Sequence, residues 1–238
     1  MPAAWTQGPF AAFDIESTGV DPKTARIVEL ALVVDEGDGV IRDLVTGLVD
    51  PGPEVEIPAE AAAVHGITRE RLAAEEAPPL SVVLEVLHAA LEDIALRGWP
   101  LVIYNATYDW PLLAAELARL EPPRQLPACV LFDPLVLDRH VDRYRKGKRT
   151  LETACQVYGI TLDDAHSARA DAVASLAVAR ELITRYPERF GEQPLEDLTA
   201  LQVEAHATWR DGFNAYLQRI GADREPVREV WPGLERAR

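Results

Sequence analysis

A chain of 238 residues, 48% hydrophobic and 26% charged, can bury a sizeable core, and its composition is that of neither a disordered nor a membrane-embedded protein. Its 39 acidic residues against 24 basic ones leave a formal charge of -15, which excludes a protein that grips nucleic acid mainly through a broad cationic surface, though bound divalent cations could still offset an anionic substrate. No apolar run approaches the ~18 to 20 residues of a bilayer span, the opening MPAAWTQGPF lacks a secretory leader's layout, and Cys129 and Cys155 suit buried thiols in a reducing compartment, so a cytoplasmic location is expected.

The first predicted elements are strands. FAAFDIE (10–16) alternates in character, RIVELALVVDE (26–36) is β-branched and ends in acidic turn residues, and GVIRDLVTGLVDP (39–51) follows a turn signal at Asp38 and Gly39. Short links between the three predict an antiparallel meander. Helices follow at 58–66 and 79–98, each opened by proline and closed by glycine. LVIYN (101–105) reads as a short buried strand, 107–120 as a helix with Pro111 in its first turn, and CVLFDP (129–134) as another strand. Residues 134–145, 150–158 and 168–186 read as helices. A meander followed by alternating strands and helices predicts an α/β domain with a mixed sheet.

Beyond YPERFGEQP (186–194), a linker-like stretch, residues 195–221 repeat Leu198, Leu201, Trp209, Phe213, Tyr216, Leu217 and Ile220 at roughly helical spacing. A helix is expected there, packed on the core or on a partner, followed by a polar tail with one WPG turn. The expected division is a domain over 1–190 and a C-terminal helical extension and tail over 191–238.

Residues able to carry chemistry occur in three places. In FDIESTG, Asp14 and Glu16 lie two apart on a strand and so share a face, where two desolvated anions repel each other and a divalent cation would relieve the cost. A turn cap at Ser17-Thr18-Gly19 and a solvated sheet edge would account for them equally. In IYNATYDWPLL, Asn105 ends a strand and Asp109 opens a helix; an acid there ordinarily complements the helix dipole, although strand ends and helix starts are also where ligands gather. In HSARADA, Ser167 reads as an N-cap, His166 lies just outside the helix and Asp171 in its second turn. Such a histidine can be merely solvated, or can reach a bound water.

These three motifs, in this order, resemble the DEDDh-type 3'-5' exonucleases of the ribonuclease H-like superfamily, the group similar to the epsilon proofreading subunit of bacterial replicative polymerase. The resemblance spans roughly residues 10 to 186. It implies a mixed five-stranded sheet flanked by helices, with the C-terminal helical extension as an addition. Carried over residue by residue, it implies that Asp14, Glu16, Asp109 and Asp171 hold two magnesium or manganese ions, with Asp14 bridging them, and that His166 is the general base. EAAAVHGIT (60–68) is a smaller match that makes Glu60 and His65 candidate substrate contacts, with helix-end capping as the alternative; Thr18 and Asn105 join them. The sequence departs from the common pattern at Ser17, Tyr104 and Tyr108, which touches the nucleotide pocket rather than the metal ligands.

The implied reaction releases nucleoside 5'-monophosphates from single-stranded 3' ends, with DNA favoured over RNA. Alternatives are an oligoribonuclease-like RNA exonuclease and a non-catalytic, polymerase-associated nucleic-acid-binding module. A DNA polymerase or repair partner is compatible with the group. The basic run RHVDRYRKGKRT (139–150) falls between the second and third motifs, where it could steer a strand or form a solvated loop.

Overall fold

The computed structural model describes residues 3–162, 166–190 and 192–234. The first two residues of the opening segment, residue 191 of the predicted linker and the last four of the predicted tail lie outside them. The predicted meander forms from β1 (Phe10–Ser17), β2 (Ile27–Asp35) and β3 (Ile41–Leu48), antiparallel in sequence. β4 (Leu101–Val102) and β5 (Leu131–Phe132) add in parallel on the other side of β1, giving a mixed five-stranded sheet in the order β3-β2-β1-β4-β5.

Strand periodicity decides where the acids go. Ala11, Phe13 and Ile15 bury into one core with α3 (Leu80–Arg97) and α4 (Ala106–Ala118). Phe10 and Ala12 bury into the other, with α5 (Pro134–Val141), α6 (Leu151–Tyr158) and α7 (Ala168–Arg185). Successive strand side chains alternate faces, so Asp14 and Glu16 continue the second row and fall on the α7 side of the sheet. Ala168, Ala172 and Ala179 are fully buried there, and their small side chains let α7 lie close to β1. The fully buried Phe10, Phe132 and Phe190 rings that flank this packing stabilise it by about 1.5–3 kcal/mol each.

Several boundaries differ from expectation for local reasons. The strand predicted at 101–105 ends early because Asn105 takes a left-handed conformation (φ 65°) and starts α4 at Ala106. Pro111 is therefore inside α4 rather than in its first turn, and its missing N–H leaves the Thr107 carbonyl without its helical donor. Gly233 of the tail packs against that turn: a Cβ there would lie 2.7 Å from the Thr107 oxygen and from Pro111 Cγ, and the backbone is also at φ 90°. The helix predicted over 134–145 stops at Val141, and the following segment folds back so that Arg145 and Arg149 reach Asp138. Two short helices lie outside the expected set: α2 (Arg69–Ala74), which follows α1 (Ala59–His65), and α8 (Pro187–Phe190) within the predicted linker. Cys155 is buried as expected, whereas Cys129 is only partly so.

The extension is a 24-residue helix, α9 (Asp197–Ile220), packed on α5 and β5. Its buried Gln202 accepts the Asp133 N–H (2.6 Å) and donates to the Leu131 carbonyl (2.8 Å). The tail then returns to the core: the Asn214 side chain brackets the Val227 backbone, and Trp231 is 5% exposed. Among the described residues no helix is long and apolar enough to cross a membrane.

Candidate active site

The three motifs meet at one end of the sheet. Asp14 and Glu16 come from β1, Asp109 from the first turn of α4 and Asp171 from α7, while His166 precedes α7 in a left-handed conformation (φ 71°). Asp171 stands in the first turn of α7, not the second, because the helix begins at Ala168. Donor atoms of Glu16, His166 and Asp171 lie within 4.8 Å of one another. Asp109 is buried and its carboxylate accepts the Ile15 amide, which ties α4 to the strand that carries the first two acids.

Crowding of anions governs the electrostatics. Burial, then Asp109, Asp171, Glu16 and Glu29, push the Asp14 carboxyl well above the ordinary carboxylate range. Glu16 is pushed up to about 8 by burial, Asp171, Glu29 and Asp109. Asp109 also rises to about 8, mainly through burial, although its own amide and that of Ile15 oppose the shift. Asp171 rises through burial, with His166 pulling it back. Its Oδ1 is buried and meets no donor among the described residues. An orphaned buried oxygen beside three more carboxylates is a state that hard cations relieve, and carboxylate oxygens are the ligands magnesium and manganese prefer. The residues present therefore fit a divalent-metal site.

The remaining candidates lie around this cluster in different roles. His65 is 8% exposed; its Nδ1 accepts the Ile67 N–H (3.1 Å), which leaves Nε2 to donate to the Ser17 carbonyl (3.3 Å). It thus closes the C-terminal end of α1, which is the capping alternative, and also braces the end of β1. Burial lowers its basicity, with His166 among the nearby charges. Thr18 is turned toward Arg26, its Oγ1 accepting the Arg26 N–H (2.9 Å) and its own N–H donating to the Arg26 carbonyl (3.0 Å), so its side chain and amide are both engaged in holding the end of β1. Asn105 is exposed at the start of α4 and receives the Thr107 hydroxyl (3.0 Å). Glu60 is exposed in the first turn of α1 and is not drawn into the bonding around the acids.

Three supports of the site carry no clear mark in the sequence. Glu29, paired with Glu16 across β1 and β2, accepts the Ala168 N–H (3.3 Å) and so caps α7, a task expected of Ser167, whose side chain makes no cap bond. The acid inside the apolar run RIVEL was the available signal. Tyr108 places its hydroxyl between Ser17 Oγ (2.5 Å) and the Gly19 carbonyl, to which it donates. Asp133, fully buried, accepts the amides of Asn105 (3.0 Å) and Ala106 (2.9 Å) and the Trp231 indole N–H (3.0 Å), fixing the turn that launches α4.

The exonuclease family model (RNase_T) matches residues 11–179, which include every acid of the cluster and His166. The chain belongs to the exonuclease family. It is a 3'-5' exonuclease, a phosphodiester hydrolase of the DnaQ-like group with the ribonuclease H-like fold. Among relatives of this exonuclease, ribonuclease T of Citrobacter koseri is 28% identical over 193 residues, covering 76% of the chain and 87% of the relative. The DNA polymerase III epsilon subunit of Treponema pallidum is 24% identical over 183 residues, covering 76% and 80%. A zinc-bound E. coli exonuclease I complexed with single-stranded DNA superposes with a TM-score of 0.64 at 21% identity over 77% of the chain; the exonuclease spans only 42% of that longer protein. The family match ends before α8, so α9 and the tail lie outside it.

Proposed function

We propose that this exonuclease removes nucleotides from the 3' ends of single-stranded DNA, releasing nucleoside 5'-monophosphates, with Asp14, Glu16, Asp109 and Asp171 holding two magnesium or manganese ions. The grouping of Glu16 and Asp171 with His166, and the mutual repulsion that ties Asp14 and Asp109 to those acids, carry the reading. When bound, such cations supply the positive charge that offsets the phosphodiester and the attacking hydroxide and eases ionisation of the nucleophilic water. His166 is the general base. Its place beside Glu16 and Asp171, exposed and on the approach to α7, lets the imidazole take the water's proton and pass it to solvent. Glu29 and the α7 helix hold Asp171 and His166 in one frame, and Ile15 and Asp133 hold Asp109. Thr18, Glu60, His65 and Asn105 are assigned to the terminal nucleotide. His65 acts there chiefly by fixing the Ser17 carbonyl and the backbone of Thr18.

The catalytic domain is taken as residues 1–190, with 191–238 as an extension built onto it, and the two unpaired thiols support a cytoplasmic setting. DNA is favoured by the likeness to exonuclease I bound to single-stranded DNA. The ribonuclease T relative supports RNA as the second reading, and the epsilon relative supports a polymerase-associated role. Matched 5'-labelled DNA and RNA oligomers, incubated with magnesium, with manganese and with chelator, test the proposal. Stepwise shortening from the 3' end, dependent on the cation and faster on DNA, is expected. Faster RNA shortening would move the substrate to RNA, equal rates would remove the DNA preference, and shortening in chelator would remove the metal assignment.

A further inference from the structure

Helix α9, the end of α5 and the α5–α6 connection enclose a cleft of about 1100 Å³ that takes no part in the acidic cluster. Its walls contradict the charge of the chain. Arg143, Lys148, Arg219 and Arg224 line it, all exposed and none in a salt bridge among the described residues, and Arg139 lines it half-buried. Glu204 is the sole carboxylate among the described residues of the lining. Two further cations of the basic run, Arg145 and Arg149, are already paired with the fully buried Asp138 (2.5 and 2.7 Å), and Arg145 also with Asp142 (3.5 Å), so the run divides into a structural part and an unpaired part.

Rings line the same cleft. Trp209, Phe213 and Tyr216 follow each other at i, i+4 and i+7 on α9 with near-parallel planes, 11° apart for the first pair and 26° for the second, at centroid separations of 5.7 and 6.4 Å. These residues belong to the periodic set that predicted the helix. Leu198 and Leu217 of that set are buried, whereas the rings face the cleft. Each has a guanidinium beside it: Arg139 over Trp209 (3.7 Å), Arg224 over Phe213 (5.6 Å) and Arg219 over Tyr216 (5.5 Å). An apolar ligand would have no use for the cations, and an isolated phosphate none for the rings. A row of both suits a polymer in which phosphates and flat bases alternate with the bases unpaired, since stacking platforms along a cationic groove are how single strands are held.

The cleft is linked to the active site by Tyr104, whose hydroxyl donates to the carbonyl of the cleft residue Arg149 (2.9 Å) and whose neighbour Asn105 opens α4. We propose that this cleft is an accessory site for single-stranded nucleic acid, holding the part of the strand upstream of the nucleotide being removed. The proposal rests on the reading that the enzyme acts on single-stranded ends, and its α9 wall lies outside the segment matched to the exonuclease family.

The test uses the full chain, wild type and the exposed charge-reversal set Arg143→Glu, Lys148→Glu, Arg219→Glu and Arg224→Glu, with Tyr216→Ala as a separate, uncharged change. Binding of a labelled oligothymidylate about 20 nucleotides long is read by anisotropy in chelator over a salt series, and cleavage of a tetranucleotide is read with manganese. The charge set should bind the long strand at least about tenfold more weakly, with a salt slope shallower by about 0.7 for each phosphate no longer neutralised, while tetranucleotide turnover is unchanged. Tyr216→Ala should weaken long-strand binding with the salt slope retained. Long-strand affinity and slope equal to wild type in both variants overturn the proposal. So does binding of a labelled acidic peptide by the wild type that the charge set abolishes, read by the same anisotropy, while oligothymidylate binding is unaffected. Failure of the wild type to cleave the tetranucleotide would instead count against the reading that the enzyme acts on single-stranded ends, because the binding arm needs no turnover.

Discussion

Replacing Asp14 by asparagine should make the metal-free protein more stable while abolishing its activity. Asp14 is partly buried at the end of β1, and desolvation, then Asp109, Asp171, Glu16 and Glu29, raise its proton affinity. Each tenfold rise in proton affinity on folding corresponds to about 1.4 kcal/mol of cost to the ionised form. Glu16 alone, moved from 4.5 to about 8, would represent roughly 5 kcal/mol unscreened; its partial exposure and local relaxation reduce that to about 2–3 kcal/mol. A carboxylate whose folded-state value exceeds the unfolded one binds more protons in the native state, so stability falls as pH rises between the two values. The chelated enzyme should therefore lose stability from about pH 4 upward, with the Glu16 and Asp109 contributions levelling off above about pH 8. For a chain of this length about 2 kcal/mol corresponds to a midpoint shift of about 4–8 °C.

The assay is thermal unfolding in chelator and in manganese across that range. The decline should appear in chelator and flatten when manganese is present. Asp14→Asn in chelator should unfold several degrees above wild type near pH 8, and should gain less from manganese. A flat chelator profile, or an Asp14→Asn protein that is less stable yet responds normally to manganese, would refute the mutual repulsion on which the metal assignment rests.

Three further outcomes follow from the same geometry. His166→Ala should retain the manganese-dependent stabilisation yet lose about 100- to 10,000-fold in turnover, measured by nucleotide release under saturating metal. Trp231→Phe removes an indole N–H from the buried Asp133 and should cost about 1–3 kcal/mol by denaturant unfolding, with a fall in kcat from the loosened α4 start. Asp138→Asn deprives Arg145 and Arg149 of their buried partner and should cost about 3–5 kcal/mol by the same measurement, leaving the salt dependence of strand binding in place.

What was legible in the sequence was whatever local periodicity encodes. The two-residue spacing of Asp14 and Glu16 placed both on one face of β1, and the α7 side followed once Phe10 and Ala12 were buried there. The meander, the order of the motifs and the place of Asp109 at a strand-to-helix junction were likewise local. Glu29 carries no clear local mark because its role depends on α7 arriving beside β2, more than a hundred residues later in the chain. Asp133 read as the close of a strand, since nothing local shows that four amides and an indole converge on it. The WPG segment read as a turn in a polar tail, and only the packed structure reveals Trp231 as a buried donor. The left-handed Asn105, which shortens β4 and moves Pro111 inside α4, is set by the same Asp133 hydrogen bonds rather than by propensity.

Asp133 also explains why the extension and the active site belong to one machine. Its amide is held by Gln202 of α9, one carboxylate oxygen by Trp231 of the tail, and both oxygens by the turn that aims Asp109. Strand occupancy of the α9 cleft would bear on that helix, and through Gln202 on the frame of a catalytic carboxylate. The charge pattern works in the same direction. A chain of net charge -15 repels polyanions at long range, so the field that admits a strand must be local, and among the described residues Arg139, Arg143, Lys148, Arg219 and Arg224 supply it on the cleft beside α9. A long strand held there by its phosphates and bases would present its end to the acidic centre with less repulsion to overcome, with metal charge needed only at the bond that breaks.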